Sequence, residues 1–319
     1  MRSVAPGVSV VVVSHNSERY LERCLEGVAA QGHEVVVVDN ASTDGHLELV
    51  RRRFPDVRVV ELENNLGFGG ASNVGVGVSS GDYVLVLNPD AWPLGLAIER
   101  LCEAAEASPW AGLVGPRLLG LDGEQEQSVR GFPTLWRLTT EYFFLRWLAP
   151  RSRLVNAFYG AGADPGKRGE VDWLVGAAML VRRQAFDDVG GFDPSFFMYN
   201  EEVDLAYRLR RRGWEVLYYP PAEFVHVGGG STRLRAVEMY REQLRSHLRF
   251  LDKHHGRRSA ERARRLLAGA MRLRAVVFRG ERGRVSADAA GWLARHDLES
   301  LLRAGQPTLP SRPPTDVSH

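Results

Sequence analysis

Four short runs of β-branched and other apolar residues constrain the fold of this 319-residue chain more than any other feature. The runs occupy residues 8–13, 35–38 and 83–87, and a more mixed run, which includes Arg58 and Glu61, predicts a strand at residues 57–62. Uninterrupted apolar runs are typical of strands buried on both faces, and strands that alternate with helices form parallel sheets. We therefore predict an α/β fold of the Rossmann-like type, with a mainly parallel sheet flanked by helices.

The segments between these runs carry helix signals. Ser17 and Asp44 are residues suited to cap a helix N-terminus, and the small residues at 69–80 predict a third helix. These three helices would connect the four strands in the right-handed order that parallel sheets require.

Beyond residue 116 the pattern is weaker. Residues 117–170 mix glycine, proline and aromatic residues and predict helices and loops. Regular periodicity returns with a predicted strand at 178–181, a helix at 201–212 that ends at Gly213, and a strand at 216–219.

Composition excludes several classes of protein. Only Cys24 and Cys102 are present, without the spacing of a zinc cluster, so we expect neither a disulfide framework nor structural zinc. No stretch reaches the ~18 apolar residues that a membrane-spanning helix requires, and the short N-terminal apolar run lacks a signal-peptide cleavage site. These features predict a cytoplasmic protein.

Charge divides the chain into two parts. Residues 231–319 contain 19 Arg and Lys against 9 Asp and Glu, although the net charge of the whole chain is only +2. We predict an α/β domain over residues 1–231 and a basic helical extension over residues 232–319, with a disordered proline-rich end. The basic extension favours an anionic partner such as nucleic acid or a membrane surface, or else it is a solvated helix packed on the first domain.

Polar residues follow the four predicted strands where each strand ends. They are Ser14-His15-Asn16, Asp39-Asn40, Glu63-Asn64-Asn65 and Asn88-Pro89-Asp90. Ligands of open α/β sheets bind outside the carboxyl ends of the strands, so four aligned polar ends predict a ligand site at this edge.

Asp90 is the candidate metal ligand, because a carboxylate after a buried strand is well placed to hold a hard cation beside a diphosphate. A plain turn is the alternative interpretation of Asn88-Pro89-Asp90. Asp39 can accept hydrogen bonds from a nucleoside or can cap its own turn. The glycines in residues 67–70 open a helix whose amides can approach a phosphate or ribose, although they match neither standard glycine-rich nucleotide motif.

Three carboxylates open the helix predicted at 201–212. Glu201, Glu202 and Asp204 either form a charged first turn, or include one acid whose pKa is raised beside the apolar residues 196–199, as suits a general base.

Histidines offer one further candidate. A histidine on an apolar segment is commonly a core residue, and His226 becomes a metal ligand only if Asp90 lies near it. We expect His254 and His255 to be exposed, without a carboxylate partner.

These motifs together resemble the family 2 glycosyltransferases of the GT-A fold, and especially their bacterial rhamnosyltransferase branch. The matching stretches run in order from residue 8 to residue 231. They are VSVVVVSHNSERYLERCLEGV, EVVVVDNASTDG, NNLGFGGASNVG, GDYVLVLNPDAW, VDWLVGAAMLVRRQAFDDVGGFDPSFFMYNEEVDLAYRLRRRGW and AEFVHVGGGST.

The resemblance implies a role for each matched residue. Glu202 would be the catalytic base, with Glu201 and Asp204 as competitors, and Asp90 with His226 would bind Mg²⁺ or Mn²⁺. The implied contacts to the nucleotide sugar come from Ser14, Asn16, Asp39, Asn40, Asp44, Asn65, Gly67, Asn73 and Asn88, and those to the acceptor from Trp173 and Gly176. The chain departs from the family pattern at Glu202, where Asp is usual, and at Asn88-Pro89-Asp90, which stands for a motif with two aspartates.

The resemblance further implies an inverting transfer by single displacement. The expected donor is dTDP-L-rhamnose, with UDP-galactofuranose, UDP-GlcNAc, UDP-glucose or GDP-mannose as alternatives, and a non-catalytic nucleotide- or glycan-binding module as the other class. The expected acceptor is a polyprenyl-linked sugar or a cell-surface glycan. We expect no nucleic-acid partner, a possible homo-oligomer, and peripheral contact of the basic extension with the inner face of the plasma membrane. A nucleotidyltransferase or NAD-dependent dehydrogenase would need a glycine-rich loop after the first strand, where this chain has Ser14-His15-Asn16.

Overall fold

The computed structural model describes residues 7–149, 152, 154–156, 166–228 and 236–303. The strands are β1 (Val8–Ser14), β2 (Glu34–Asp39), β3 (Arg58–Glu61), β4 (Tyr83–Leu87), β5 (Ala91–Pro93), β6 (Ala111–Leu119), β7 (Val129–Arg130), β8 (Gly169–Glu170), β9 (Trp173–Leu174), β10 (Ala178–Arg182) and β11 (Glu215–His226). The helices are α1 (Glu18–Ala29), α2 (His46–Arg53), α3 (Gly67–Val78), α4 (Ala97–Glu106), α5 (Leu135–Tyr142), α6 (Leu145–Leu148), α7 (Arg183–Val189), α8 (Glu201–Arg211), α9 (Ala236–His255), α10 (Arg257–Val277), α11 (Gly280–Arg295) and α12 (Leu298–Arg303).

One large sheet organises the described part of the chain. Its strand order is β3-β2-β1-β4-β10-β6-β11-β5, with β8 also paired to β11, and β7 and β9 form a separate ribbon. The first four strands of this order are parallel, as predicted. β10 is antiparallel to both of its neighbours, β4 and β6, so the parallel half joins a mixed half through it. The predicted α/β fold class is confirmed.

Burial of β1 explains its continuous apolar sequence. Val11 and Val13 belong to one hydrophobic core cluster and Val10 and Val12 to another. Because alternate residues of a strand point to opposite faces, the strand is buried by helices on both sides.

Small residues in α3 allow it to lie close to the sheet. A Cβ added at Gly75 would be 2.3 Å from Cγ1 of Val11 and 2.9 Å from Cγ2 of Val38. The small residues at 69–80 therefore reflect close contact between the helix and the sheet. The helix begins two residues earlier than predicted, at Gly67.

The middle segment is more regular than its sequence indicates. β6 runs to Leu119 through Gly112, Gly115 and Pro116, which interrupt the apolar pattern. Both glycines leave room for neighbouring side chains. A Cβ added at Gly112 would lie 2.8 Å from Cβ of Trp214, and one added at Gly115 would lie 2.6 Å from Cδ1 of Leu174. The strand predicted at 216–219 likewise continues to His226, across an irregularity in its pairing with β6 that accommodates two prolines.

The C-terminal helices share a core with the sheet domain. Leu244, Leu248 and Leu251 of α9 belong to the same hydrophobic cluster as Val203 of α8. The division at residue 231 stays a prediction, because residues 229–235 lie outside the described part, as does the proline-rich end. No helix among the described residues is long and apolar enough to cross a membrane.

Candidate active site

The polar ends of β1, β2 and β4 meet at one edge of the sheet, as predicted. Ser14 pairs with Asp39 in the β1–β2 register, and the amide of Asn40 donates to the carbonyl of Ser14 at 2.8 Å. β4 lies on the other side of β1 and ends at Leu87, so Asn88 follows at the same edge.

Asp39 is a buried carboxylate with one unsatisfied oxygen. Its Oδ2 accepts a hydrogen bond of 3.2 Å from the amide of Ser42, whereas Oδ1 has no hydrogen-bond donor among the described residues. Nε2 of His46 lies 3.5 Å from Oδ1 of Asp39. A buried acceptor without a donor is costly unless a ligand supplies one.

His46 explains why that oxygen is unsatisfied, and the sequence analysis missed this residue. Its Nδ1 contacts the carboxylate of Asp44, and its Nε2 lies 3.0 Å from the hydroxyl of Ser14. With Nδ1–H donated to Asp44, Nε2 accepts from Ser14 and has no proton for Asp39. Asp44 therefore acts on the pocket through His46 rather than as a simple helix cap.

Asn40 and Asn65 shape the turn before α3. The side-chain Nδ2 of Asn40 donates to Oδ1 of Asn65 at 2.9 Å, and its Oδ1 accepts from the backbone amide of Leu66 at 2.8 Å. Asn16 stands at φ 50° and accepts from the amide of Thr43 at 2.8 Å. These side chains hold the neighbouring loops in place, and their contacts with a nucleotide sugar stay a prediction.

Two residues of α3 fix the segment that leads to α8. Gly67 has a φ of 75°, and an added Cβ would lie 2.0 Å from the carbonyl oxygen of Phe197, which only glycine avoids. The side chain of Asn73 donates to the carbonyl of Phe192 at 2.8 Å and accepts from its amide at 2.9 Å. We infer a positioning role for Gly67 and Asn73, which were expected to contact the nucleotide sugar.

Asp90 and His226 lie together at the end of β4. Oδ1 of Asp90 is 3.7 Å from Nε2 of His226, and the carbonyl of Asp90 accepts from the amide of Val227 at 3.1 Å. β11 pairs antiparallel with β5, which places His226 opposite Ala91. The proximity on which a metal role for His226 depends is therefore present.

Glu126 is a second residue that the sequence analysis missed. Its Oε2 lies 2.9 Å from Nδ1 of His226, on the side of the ring opposite Asp90. A carboxylate that accepts Nδ1–H leaves the lone pair of Nε2 available for a cation.

The residues present fit a divalent cation shared with a substrate. Two ligands that bind one ion at about 2.0–2.3 Å lie about 3–4 Å from each other, as Asp90 and His226 do. Within the described ranges no group of three His, Cys, Asp or Glu is arranged to hold a metal. Two protein ligands suit an ion that takes its remaining ligands from phosphate and water.

Glu202 lies in the first turn of α8, beside Gly176, which precedes β10. A Cβ added at Gly176 would be 3.7 Å from Cβ of Glu202, and the next residue, Ala177, accepts from the amide of Asn88 at 2.9 Å. Residues 176–177 therefore contact both the first turn of α8 and the turn that bears Asp90.

Burial raises the pKa of Glu202 to about 7, although backbone hydrogen bonds and Arg130 act in the opposite direction. The pKa of Glu201 is also raised, by burial first and then by the carboxylate of Glu202. Oε2 of each has no hydrogen-bond partner among the described residues. Glu202 is the more accessible of the two acids, since Glu201 is buried.

Asp204 has a different environment, which makes it less suited than Glu202 to act as the catalytic base. Its side chain is fully buried and binds Nε of Arg208 at 2.7 Å, Nζ of Lys253 at 2.6 Å and Nε2 of His254 at 2.7 Å. Although burial raises the pKa of Asp204, these partners lower it below its usual range. The expectation that His254 is exposed without a carboxylate partner was wrong, because α9 folds back against α8.

Trp173 is buried and does not present its ring to an acceptor. Its indole Nε1 donates to the carbonyl of Gly131 at 2.9 Å, and the guanidinium of Arg130 lies 5.8 Å from the ring. Because Arg130 acts on the pKa of Glu202, Trp173 contributes to the site by placing that cation.

The sequence of α9 gave no sign that it supports the site. Ser246 donates to the carbonyl of Met198 at 2.9 Å, Nδ1 of His247 lies 2.9 Å from Nδ2 of Asn200, and Lys253 binds Asp193 at 2.6 Å. The segment that carries Glu202 is thus held by α3 on one side and α9 on the other.

The sheet, with polar strand ends at one edge, has a fold of the GT-A type. The structure of the mannosyltransferase PcManGT from Pyrobaculum calidifontis, in complex with GDP-Man and Mn²⁺, is similar with a TM-score of 0.54 and 19% identity. The likeness covers 95% of this chain and 86% of that one.

The sequence model of Glycosyl transferase family 2 matches residues 9–190, and that of Glycosyl transferase family group 2 matches residues 152–279. The chain belongs to glycosyltransferase family 2 and is a glycosyltransferase, as its motifs predicted.

Two relatives match most of the chain. The N-acetylglucosaminyl-diphospho-decaprenol L-rhamnosyltransferase of Mycobacterium tuberculosis is 36% identical over 263 residues, which cover 77% of this chain and 85% of the relative. The Rhamnosyltransferase WbbL of Escherichia coli is 27% identical over 256 residues, which cover 76% of this chain and 92% of the relative.

Proposed function

We propose that this enzyme transfers L-rhamnose from dTDP-L-rhamnose to a hydroxyl group of a polyprenyl-diphosphate-linked sugar, with inversion at the anomeric carbon. Two relatives named as rhamnosyltransferases, one of them acting on a lipid-linked N-acetylglucosamine by its name, support the donor and the acceptor. The observation that carries the mechanism is the position of Glu202, whose pKa is raised by burial, beside Gly176; the next residue, Ala177, accepts a hydrogen bond from the amide of Asn88.

The nucleotide would bind at the carboxyl ends of β1 and β2. The unsatisfied Oδ1 of Asp39 is suited to accept the imide N–H of a thymine, because that group is a donor in a ring otherwise rich in acceptors. His46 supports this choice, since it is occupied by Asp44 and Ser14 and leaves the oxygen free for the base.

Asp90 and His226 would hold a divalent cation, Mg²⁺ or Mn²⁺, against the diphosphate. When bound, that ion would supply Lewis-acid stabilisation of the negative charge that develops on the departing nucleotide. Glu126 would fix the ring of His226 so that Nε2 points to the ion.

Glu202 would act as the general base on the acceptor. Its carboxylate removes the proton of the acceptor hydroxyl as the oxygen forms a bond to the anomeric carbon, and the bond from that carbon to the nucleotide diphosphate breaks on the opposite face. A pKa of about 7 suits this step, because about half of the groups are ionised at neutral pH and the carboxylate still accepts a proton readily.

A transfer assay tests the proposal. The purified protein is incubated with Mn²⁺, dTDP-L-rhamnose and a short-chain soluble analogue of a polyprenyl-diphosphate N-acetylglucosamine, and the product and its anomeric configuration are determined by NMR. We expect one inverted rhamnoside, and little product from UDP-galactofuranose, UDP-GlcNAc, UDP-glucose or GDP-mannose. A retained configuration would overturn the mechanism, and preference for another donor would overturn the substrate.

Variants of the two central acids complete the test. Glu202→Gln should lower kcat by about 10²–10⁴ with donor binding preserved, as expected for loss of a general base. Asp90→Asn should abolish metal-dependent binding of dTDP, whereas Asp82→Asn, at the opposite end of the same strand, should not. Near-normal turnover of Glu202→Gln would exclude Glu202 as the base.

A further inference from the structure

A surface at the junction of α5, α6 and the end of α10 exposes large apolar side chains. We name this surface the aromatic patch and define it by Trp136, Trp147, Leu148, Leu154, Val276 and Val277. Trp147 is 63% exposed, Leu148 83% and Val276 84%, and most of the exposed large apolar residues that the structure describes lie here. A contiguous exposed apolar surface is uncommon in a soluble protein and marks an interaction site.

The aromatic patch is one continuous surface. The ring of Phe144 lies 5.1 Å from that of Trp147 and 5.4 Å from that of Phe278, which joins α6 to the end of α10. The indole of Trp136 donates to the carbonyl of Leu154 at 3.1 Å. Segments far apart in sequence therefore contribute to the same face.

The aromatic patch is also held in a fixed arrangement. The guanidinium of Arg274 lies 4.8 Å from the ring centroid of Phe144 and 5.1 Å from that of Phe278. The same side chain donates to the carbonyl of Tyr142 at 3.4 Å. Arg274 thus connects the end of α10 to the residues between α5 and α6.

Positive charge borders the aromatic patch. Residues 272–284 contain five arginines and a single acidic residue, Glu281. Arg272 and Arg279 are exposed and flank Val276 and Val277 in sequence. Arginine beside tryptophan and aliphatic side chains is complementary to an anionic bilayer, where rings enter the interface and cations contact headgroups.

We propose that the aromatic patch docks this enzyme onto an anionic lipid bilayer. The proposal rests on the proposed function, because a polyprenyl-linked acceptor would be reached from that surface. It moves the membrane contact expected of the whole basic extension to a face that α5, α6 and Leu154 share with the end of α10. A second copy of the chain fits less well, since a symmetric contact would bring the arginines of both copies together.

Vesicle binding of the full chain tests the proposal. The protein is sedimented with vesicles of phosphatidylcholine, alone or mixed with phosphatidylglycerol, and we expect binding mainly to the mixed vesicles, with salt weakening it. The double variant Trp147→Ser, Leu148→Ser should bind at least about tenfold more weakly, because two apolar side chains no longer enter the interface. Trp110→Ser is the matched control, since Trp110 is 66% exposed but lies at the start of β6, and it should bind like the unaltered protein.

The remaining outcomes separate this proposal from the proposed function. Transfer to the soluble acceptor analogue should be unchanged in the double variant, whereas transfer to a vesicle-embedded acceptor should fall with vesicle binding. Vesicle binding that is absent, or equal in the double variant and Trp110→Ser, would overturn the docking proposal even if transfer is observed. Light scattering that shows a dimer lost in the double variant, with no vesicle binding, would assign the aromatic patch to a second copy instead. Vesicle binding without transfer would leave the docking face in place and reject the proposed function.

Discussion

The hydroxyl of Ser246, on α9, donates a hydrogen bond of 2.9 Å to the carbonyl of Met198, four residues before Glu202. Met198 is followed by Tyr199 and Asn200, both at φ 65°, which is a costly conformation for residues other than glycine. Contacts from outside the segment must therefore maintain it. The C-terminal extension, which the sequence indicated as a basic tail, is part of the support of the proposed catalytic base.

Removal of this hydrogen bond should affect turnover more than donor binding. We expect Ser246→Ala to lower kcat about three- to tenfold, with the KM for the donor nearly unchanged, because one buried hydrogen bond contributes about 1 kcal/mol. Ser286→Ala is the control, since Ser286 is also buried in the extension but donates within its own helix, to Arg282. Equal effects of the two variants in steady-state kinetics would assign Ser246 a general stabilising role only.

The pKa of Glu202 predicts the pH dependence of the reaction. With a pKa of about 7, the carboxylate is protonated in acid, so kcat/KM should rise about tenfold per pH unit up to pH 7 and level off above it. Arg130 lowers this pKa, and Arg130→Gln should therefore move the rising limb to higher pH. A limb centred near the ordinary glutamate value of about 4.3 would contradict the effect of burial.

The same raised pKa predicts a gain in stability when the charge is removed. A group whose pKa is higher in the folded state stabilises the protein fully below its unfolded pKa, and this contribution is lost as pH rises through about 7. Glu202→Gln should therefore be more resistant to urea than the unaltered protein at pH 8, by about 1–3 kcal/mol, and not at pH 4. If Glu202→Gln and the unaltered protein have equal unfolding free energies at pH 8 as well as at pH 4, the carboxylate of Glu202 is solvated.

The parallel half of the sheet could be predicted because it is determined locally. The central residues of β1, β2 and β4 form nearly continuous apolar runs, which are typical of strands buried on both faces. β6 was not recognised because Gly112 and Gly115 are selected by contacts with Trp214 and Leu174, which are distant in sequence. Local periodicity carries no information about such contacts.

The candidate site shows the same limit. Asp39, Asp90 and Glu202 follow buried strands or open a helix, so their positions could be inferred from the elements themselves. His46 stands two residues after Asp44, and that spacing could have drawn attention to it. Glu126 and the side chains of α9 lie on segments whose sequences are ordinary, and only the folded chain brings them to His226, Met198 and Asn200.

Glu126 should determine the metal affinity through His226. Its carboxylate accepts from Nδ1 at 2.9 Å, and loss of such a partner weakens metal binding about 10–100-fold because the ring is no longer fixed. Glu126→Gln should therefore bind Mn²⁺ in the presence of dTDP more weakly by that factor in calorimetry. Glu124→Gln is the control, two residues away and exposed. If both variants bind Mn²⁺ with the affinity of the unaltered protein, Glu126 does not orient His226.

We expect Asp204 to contribute to the stability of the protein rather than to catalysis. Its fully buried carboxylate compensates Arg208, Lys253 and His254, and removal of one partner from a buried charged cluster costs about 3–5 kcal/mol. Asp204→Asn should therefore lower the free energy of unfolding by that amount in urea.

Asp252→Asn is the control for this substitution. Asp252 is on α9, next to Lys253, but its contact with Arg257 is a 3.9 Å pair at the surface, which contributes no more than about 1 kcal/mol. Because partners lower the pKa of Asp204, its contribution is present above the unfolded pKa of about 3.9 and should be lost as pH falls further. The difference in unfolding free energy between Asp204→Asn and the unaltered protein should accordingly shrink in strong acid. A variant that unfolds normally at pH 7 yet has no activity would show instead that Asp204 takes part in the reaction.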